Sequence, residues 1–322
     1  CNSSPEQEDM LQHTHSHKSE TEHQGDGRLV LAILVNVLLT VAQVIGGVIS
    51  GSLSLVADAL HNLNDAGALG LALFARKVAR RPADNVRTFG YRKAEVIGAL
   101  VNTTALILVG LYLIYEAAVR FFNPQPIDGW IVIIVAGIAL VVDVVTAMVT
   151  YSMAKTNLNI KAAFIHNVTD ALGSVAVIVV GVLVLLFEWY FADLVATLLL
   201  AAYILVQGFR LLSESVRILM DSVPVGLDLK RIKETILSVP GVEGAHHIHV
   251  WQIDENHRAL EAHIVVVPTG VEEYEAAKRA LKEILQKDYS ISHTTLEMEP
   301  PGECPDEGTS CAGGSESVIR KE

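Results

Sequence analysis

Six predominantly apolar stretches of about 20 residues each occupy most of the first two thirds of the chain: Leu29–Ile49, Leu53–Ala75, Val96–Tyr115, Trp130–Tyr151, Ala162–Phe187 and Leu194–Leu212. As helices they are long enough to cross the roughly 30 Å hydrocarbon layer of a bilayer. Backbone amides in lipid must also be bonded within their own segment, which helices achieve. The expected fold is therefore an α-helical membrane protein with six transmembrane helices. The composition agrees, with 51% hydrophobic and 19% charged residues among 322 and a mean hydropathy of +0.40.

An even number of spans leaves both termini on one side, and the basic residues indicate which. The connection after the second span holds Arg76, Lys77, Arg80, Arg81, Arg87, Arg92 and Lys93, and the connection after the fourth holds Lys155 and Lys161. On the opposite side Gly51-Ser52 is uncharged, Phe121–Gly129 has no basic residue beyond the adjacent Arg120, and Glu188–Asp193 is acidic. The positive-inside rule places both termini in the cytoplasm.

Two of the apolar runs contain the same polar pattern. His61-Asn62-Leu63-Asn64-Asp65 and His166-Asn167-Val168-Thr169-Asp170 are copies of His-x-x-x-Asp. Spacing i, i+4 places imidazole and carboxylate on one helical face, one turn apart. Such groups could act as hydrogen-bonding glue between helices. Ionisable residues inside spans are costly, however, and two pairs facing each other would supply two nitrogens and two oxygens, a tetrahedral set suited to zinc. An imidazole must lose its proton to ligate, and it titrates near about pH 6.5 when unperturbed. Exchange of a metal ion for protons is then chemically natural.

Asp58 lies three residues before His61 and is a candidate acceptor for it or a step on the exit path; Asp143 in the fourth span suits a proton relay or a structural pair. One mismatch stands out. His61 is fifteen residues from Arg76 while His166 is five from Lys161, a difference of roughly 15 Å at helical rise. If the four groups meet, the fifth helix must extend past the bilayer on its outer side, tilt, or begin in a wet cytoplasmic cavity.

The composition divides the chain into a His-containing cytosolic tail (1–27), a six-helix membrane domain (28–220), a cytosolic domain (221–300) and a flexible Gly/Ser-rich tail (301–322). The first tail, with His13, His15, His17 and His23, either captures metal loosely or is simply solvated. It lacks an apolar core of the signal-peptide kind, so none is expected. From Asp221 onward the pattern predicts a helix (Asp228–Val239), a break at Pro240-Gly241, a strand (Gly244–Ile253), a turn at Asp254–Asn256, a strand (Ala259–Val267), a helix (Glu272–Lys287) and a strand (Ser290–Met298). The order αββαβ suits an α+β ferredoxin-like module. Cys1, Cys304 and Cys311 are few and terminal and imply no disulfide framework. The net charge of −12 argues against nucleic-acid binding.

Four segments together resemble the cation diffusion facilitator family: Ser54–His61, Arg87–Glu95, His166–Asp170 and Gly241–His246. The likeness covers nearly all of Leu29–Pro300. It implies a homodimer joined largely through the cytosolic domain, and proton-coupled efflux of a divalent metal, zinc foremost, by alternating access. His61, Asp65, His166 and Asp170 match the family's transport site. Arg87 and Tyr91 stand where some relatives place histidines of a further loop site, so that site is expected to be absent. Lys93 resembles a lysine that pairs with an acidic residue just after the sixth span, and Asp221 fits the partner; unrelated juxtamembrane charges are the alternative. The resemblance selects His246, His263, His293 and Glu299 as ligands of a regulatory or stabilising zinc site. Strand alternation alone cannot, because it puts His247 and His249 on one face and His246 on the other; solvent-facing histidines of a small sheet are the alternative.

The expected function is thus a zinc/proton antiporter of six passes, with metal ions, lipid and a second copy of the chain as partners and a bacterial inner membrane as its setting. Cadmium, cobalt or nickel are alternative main substrates. An intramembrane metalloenzyme would need an open coordination position and a general base, and no His-Glu-x-x-His motif is present. A metal sensor with an inert membrane part leaves Asp65 and Asp170 unexplained.

Overall fold

The computed structural model describes residues 37–154, 158–254, 256–267 and 270–301. The histidine-bearing tail at 1–27, the start of the first apolar stretch, Lys155, Cys304 and Cys311 lie outside the described residues. The described elements are α1 (Val37–Ser50), α2 (Leu53–Ala79), α3 (Ala94–Phe122), α4 (Gly129–Ala154), α5 (Leu158–Phe187), α6 (Phe191–Leu219), α7 (Leu229–Leu237), β1 (Val242–Gln252), β2 (Arg258–Val266), α8 (Val271–Tyr289) and β3 (Ile291–Glu299). They form two compact units. One holds the chain to Gly70 together with Thr104–Phe209, and the other holds Leu71–Thr103 with Arg210 onward.

Among the described residues four helices are long and apolar enough to cross a membrane, over Ala94–Phe122, Gly129–Val149, Phe164–Phe187 and Phe191–Leu219. Six were expected. Of the other two stretches, the first is described only over Val37–Ser50, and α2 is as long as its neighbours but carries Asp58, His61, Asn62, Asn64 and Asp65. Large apolar side chains such as Leu111, Ile138, Leu186 and Leu199 face outward, as lipid-facing positions do.

In the first unit α2 packs on two sides. Leu53 and Ala57, one turn apart, join Leu106, Leu113 and Ala117 of α3 and Ala201 and Ile204 of α6. Leu55 joins Val132 and Ala136 of α4 and Val177 of α5. The corner between α1 and α2 needs Gly51, whose φ of +74° is left-handed and whose absent Cβ would lie 2.7 Å from the Pro126 carbonyl. Asp193, in the first turn of α6, caps α2 from outside its own helix. It is 1% exposed and accepts from Ser52 Oγ at 2.6 Å, Leu53 N at 2.8 Å, Ser54 N at 3.1 Å and Ser54 Oγ at 2.6 Å. This carboxylate satisfies orphan amides at the positive end of the helix dipole.

In the second unit the order αββαβ is observed. β1 pairs antiparallel with β2, and β2 parallel with β3 through the α8 crossover. Ile232 and Ile236 of α7 and Leu281 and Leu285 of α8 share a core with Val250, Leu260, Ile264 and Ile291. Asp228 caps α7, accepting from Lys230 N at 2.9 Å.

Asp193→Ala is expected to destabilise the protein by about 2–4 kcal/mol, because it orphans several buried donors at once. Thermal unfolding of the purified variant checks this, and an unchanged midpoint would rule out the cap.

Candidate metal centre

α2 presents His61 and Asp65 on one face, α5 presents His166 and Asp170 on another, and the two faces meet. His61 Nε2 lies 3.5 Å from Asp65 Oδ2 and 3.6 Å from Asp170 Oδ1. His166 Nε2 lies 3.3 Å from Asp65 Oδ2 and 3.3 Å from Asp170 Oδ2. The two imidazole centroids are 6.2 Å apart, and the Tyr203 ring of α6 stands edge-on to His61 at 6.1 Å. His61 Nε2, Asp65 Oδ2 and Asp170 Oδ1 are buried without a hydrogen-bond partner. Buried groups left in that way cost free energy. A tetrahedral ion with bonds near 2.1 Å sets neighbouring donors about 3.4 Å apart; one ligand atom each from His61, Asp65 and Asp170 lies within 4.8 Å of the others, while His166 stands beside this trio and reaches the other Asp170 oxygen. His166 is the most accessible member, with 47% of its side chain exposed.

The helix bounds carry the same offset as the sequence. α5 begins at Leu158, eight residues before His166, whereas α2 runs on to Ala79, eighteen residues past His61. The quartet therefore sits near the start of α5 and in the first half of α2, and the basic end of α2 continues past Gly70 into the second unit.

Asp58 does not bond His61 among the described contacts. It accepts from Gln43 Nε2 of α1 at 2.6 Å, and Gln43 Oε1 accepts from Asn62 Nδ2 at 3.0 Å. Nothing in sequence spacing marks Gln43 as the link between these two residues. Asp143 accepts from Ser174 Oγ at 3.2 Å, one turn beyond Asp170 on α5.

A second cluster lies on the sheet. His263 Nδ1 contacts Glu299 Oε1 at 2.6 Å, His246 Nε2 lies 3.4 Å from Glu299 Oε2, and His263 Nε2 lies 3.4 Å from Glu297 Oε2. His293, expected in this set, is elsewhere. It pairs with Ala259 in the β2–β3 register while His263 pairs with Glu297, four residues or roughly 13 Å along the strand. Its ring packs against Phe89 at 5.6 Å. His247 instead stands beside the cluster, its ring 5.3 Å from that of His246 and 5.0 Å from that of His263. Simple alternation would have sent it to the other face. A β-bulge between His246 and His249 inserts one residue, and His247 adopts a φ of +48°, which re-aims the side chain.

Lys93 Nζ and Asp221 Oδ1 are paired at 2.9 Å. Both are partly exposed, so the pair contributes at most about 1 kcal/mol. Arg87 stacks over Tyr91 at 4.7 Å. Asp84 accepts from Arg87 N, from the Tyr91 hydroxyl and from Val86 N, and these bonds hold its carboxyl below the usual range.

Paired imidazoles and carboxylates facing one another between apolar helices mark a membrane protein that handles cations. The chain belongs to the cation efflux family: residues 29–220 match the cation efflux transmembrane domain and residues 224–301 the cation efflux protein cytoplasmic domain. It is a metal cation transporter rather than an enzyme. The zinc transporter ZitB of Pectobacterium atrosepticum is 36% identical, over 90% of this chain and 89% of that protein. A cadmium, cobalt and zinc/H(+)-K(+) antiporter of Bacillus velezensis is 33% identical, over 95% and 97%. Among solved structures, the metal-bound C-terminal domain of the CzcD transporter from Cuprividus metallidurans is 30% identical over 23% of this chain and 99% of that chain, with a TM-score of 0.21.

Gln43→Leu is expected to cost about 1–3 kcal/mol, because it leaves the Asp58 carboxylate buried without its donor. Lys93→Ala should cost less than about 1 kcal/mol. Thermal unfolding of the two variants side by side checks the order.

Proposed function

We propose that the chain exports divalent cations, zinc foremost, from the cytoplasm by proton antiport with alternating access. The observation that carries this reading is the meeting of two His-x-x-x-Asp pairs at 3.3–3.6 Å across α2 and α5. Two carboxylates offset the charge of a dication in an apolar surrounding, and two imidazoles complete a borderline donor set without sulfur. When the ion leaves, the unneutralised carboxylates and freed imidazoles favour proton uptake, so loss of metal and gain of protons are linked. Cadmium, cobalt and nickel fit the same donors less distinctively. The relatives' names agree in substrate class and, for one, in proton exchange.

The topology in this reading has six passes, with α1 and α2 completing the four more apolar spans. At 27 residues α2 is about 40 Å long, ample for a bilayer. Both termini are cytoplasmic, and the bacterial relatives support an inner membrane. The αββαβ order supports a ferredoxin-like cytosolic domain, and the domain model it matches is named for dimerisation, which supports a homodimer.

The sheet cluster is a second zinc site in this reading. Its donors fit the ion, since one ligand atom each from His246, His263 and Glu299 lies within 4.8 Å of the others. His247 completes the set in place of His293. Zinc bound there would supply positive charge tying β1, β2 and β3 together.

In proteoliposomes, zinc entry through the cytoplasmic face should raise the internal pH, and zinc flux without proton movement would rule out antiport. Asp65→Asn or Asp170→Asn should lower that flux by about 100-fold or more, exceeding what loss of a residue behind a ligand costs. Full flux in either variant would sink the membrane site.

Equilibrium dialysis of full-length protein carrying Asp65→Asn and Asp170→Asn isolates the second site. His263→Ala and His247→Ala should each weaken the remaining zinc binding, while His293→Ala should leave it unchanged. Equal loss in the His293 variant would favour the ligand set implied by family resemblance.

A further inference from the structure

The connection between α2 and α3, the turn between β1 and β2, and the start of β3 enclose a cavity of about 570 Å³. Its lining includes Arg80, Arg81, Arg92, His257, His293, Thr88 and Ser292 and, among the described residues, no Asp or Glu. This concentration of donors stands in a chain whose net charge is −12. The positive-inside rule accounts for arginines in this connection. It does not account for their convergence with two sheet histidines on one concave surface.

Local contacts engage these donors only in part: the Arg81 guanidinium lies 5.8 Å from the centroid of the Tyr91 ring. Arg80 and Arg81 have no carboxylate partner among the described residues, and Arg92 Nη1 reaches Asp254 Oδ2 only at 3.8 Å. Asp254 is itself occupied, because Oδ1 accepts from Asn256 N at 2.8 Å and His257 N at 2.9 Å. It also holds His257 Nδ1 at 2.8 Å, which leaves Nε2 as the free ring nitrogen of His257. The edge-on contact with Phe89 seats His293 here rather than at the metal cluster.

We infer that this cavity binds a phosphate group, either free or as the headgroup of an anionic phospholipid. Its volume falls within the usual range for small-ligand sites. Planar guanidinium forks match phosphate oxygens, and several of them around one anion make strong charge-assisted bonds. A phosphate there clips the α2–α3 connection to the β1–β2 turn and to β3. This inference does not depend on either metal site.

The test uses the full-length chain and an Arg80→Gln, Arg81→Gln double variant. In one arm, inorganic phosphate is titrated into protein in detergent at constant ionic strength, with chloride as the comparison and thermal midpoint as the readout. In the other, protein reconstituted in phosphatidylcholine vesicles with or without phosphatidylglycerol is re-extracted, and retained lipid is counted by mass spectrometry. A saturable phosphate-specific rise in midpoint identifies free phosphate, and selective retention of phosphatidylglycerol identifies the lipid headgroup. Either response should weaken roughly tenfold or more in the double variant. Both arginines are exposed, so the fold should survive their loss, and unchanged zinc binding at the membrane site serves as the control. His257→Gln, which keeps the arginines, should weaken the same response less. If chloride reproduces the phosphate effect and lipid retention is unselective, or if wild type and double variant respond alike, the inference is overturned.

Discussion

Polar groups buried in an apolar bundle have no water to turn to, so each must be answered by another helix. In this protein that constraint falls on α2. Its capping serines and first amides are met by Asp193 of α6. Asp58 and Asn62 are both met by Gln43 of α1. His61 and Asp65 face His166 and Asp170 of α5. These answers come from three helices, the adjacent α1 and the sequence-distant α5 and α6, and together they orient α2 about its own axis. The apolar contacts on its two sides then follow, with Leu53 and Ala57 toward α3 and α6 and Leu55 toward α4 and α5.

The quartet differs from the other polar groups in how it is held. Asp193 and Asp58 accept short hydrogen bonds, whereas the quartet's imidazoles and carboxylates approach one another only to 3.3–3.6 Å and leave atoms unsatisfied. A structural role would favour the first arrangement, because an unsatisfied buried group costs free energy. The sheet cluster is built by a different device. A single extra residue in β1 turns His247 toward His246 and His263, so a local backbone irregularity brings an imidazole from the opposite face beside the other two.

Much was legible in the chain. The i, i+4 spacing placed each His and Asp on one face, and the αββαβ order followed from the change of periodicity after Asp221 and from the Pro240-Gly241 break. Asp228 marked the start of α7 because a carboxylate at that position caps free amides. Other features were not legible. Alternation misplaced His247, since a bulge depends on a partner strand that the local pattern does not encode. The expected acceptor for His61 proved to be the partner of Gln43, because three residues of separation along α2 say nothing of what α1 brings alongside. His293, chosen by resemblance, sits four register positions from His263, and register is set by strand pairing.

The sequence by itself determined which segments are apolar enough to become helices, where their basic flanks lie, and which residues carry imidazole or carboxylate at helical spacing, because these are properties of local composition and period. Only the tertiary structure decided which donors share a site. Side chains about a hundred residues apart meet through helix packing, with α2 running eighteen residues past His61 and α5 beginning eight residues before His166.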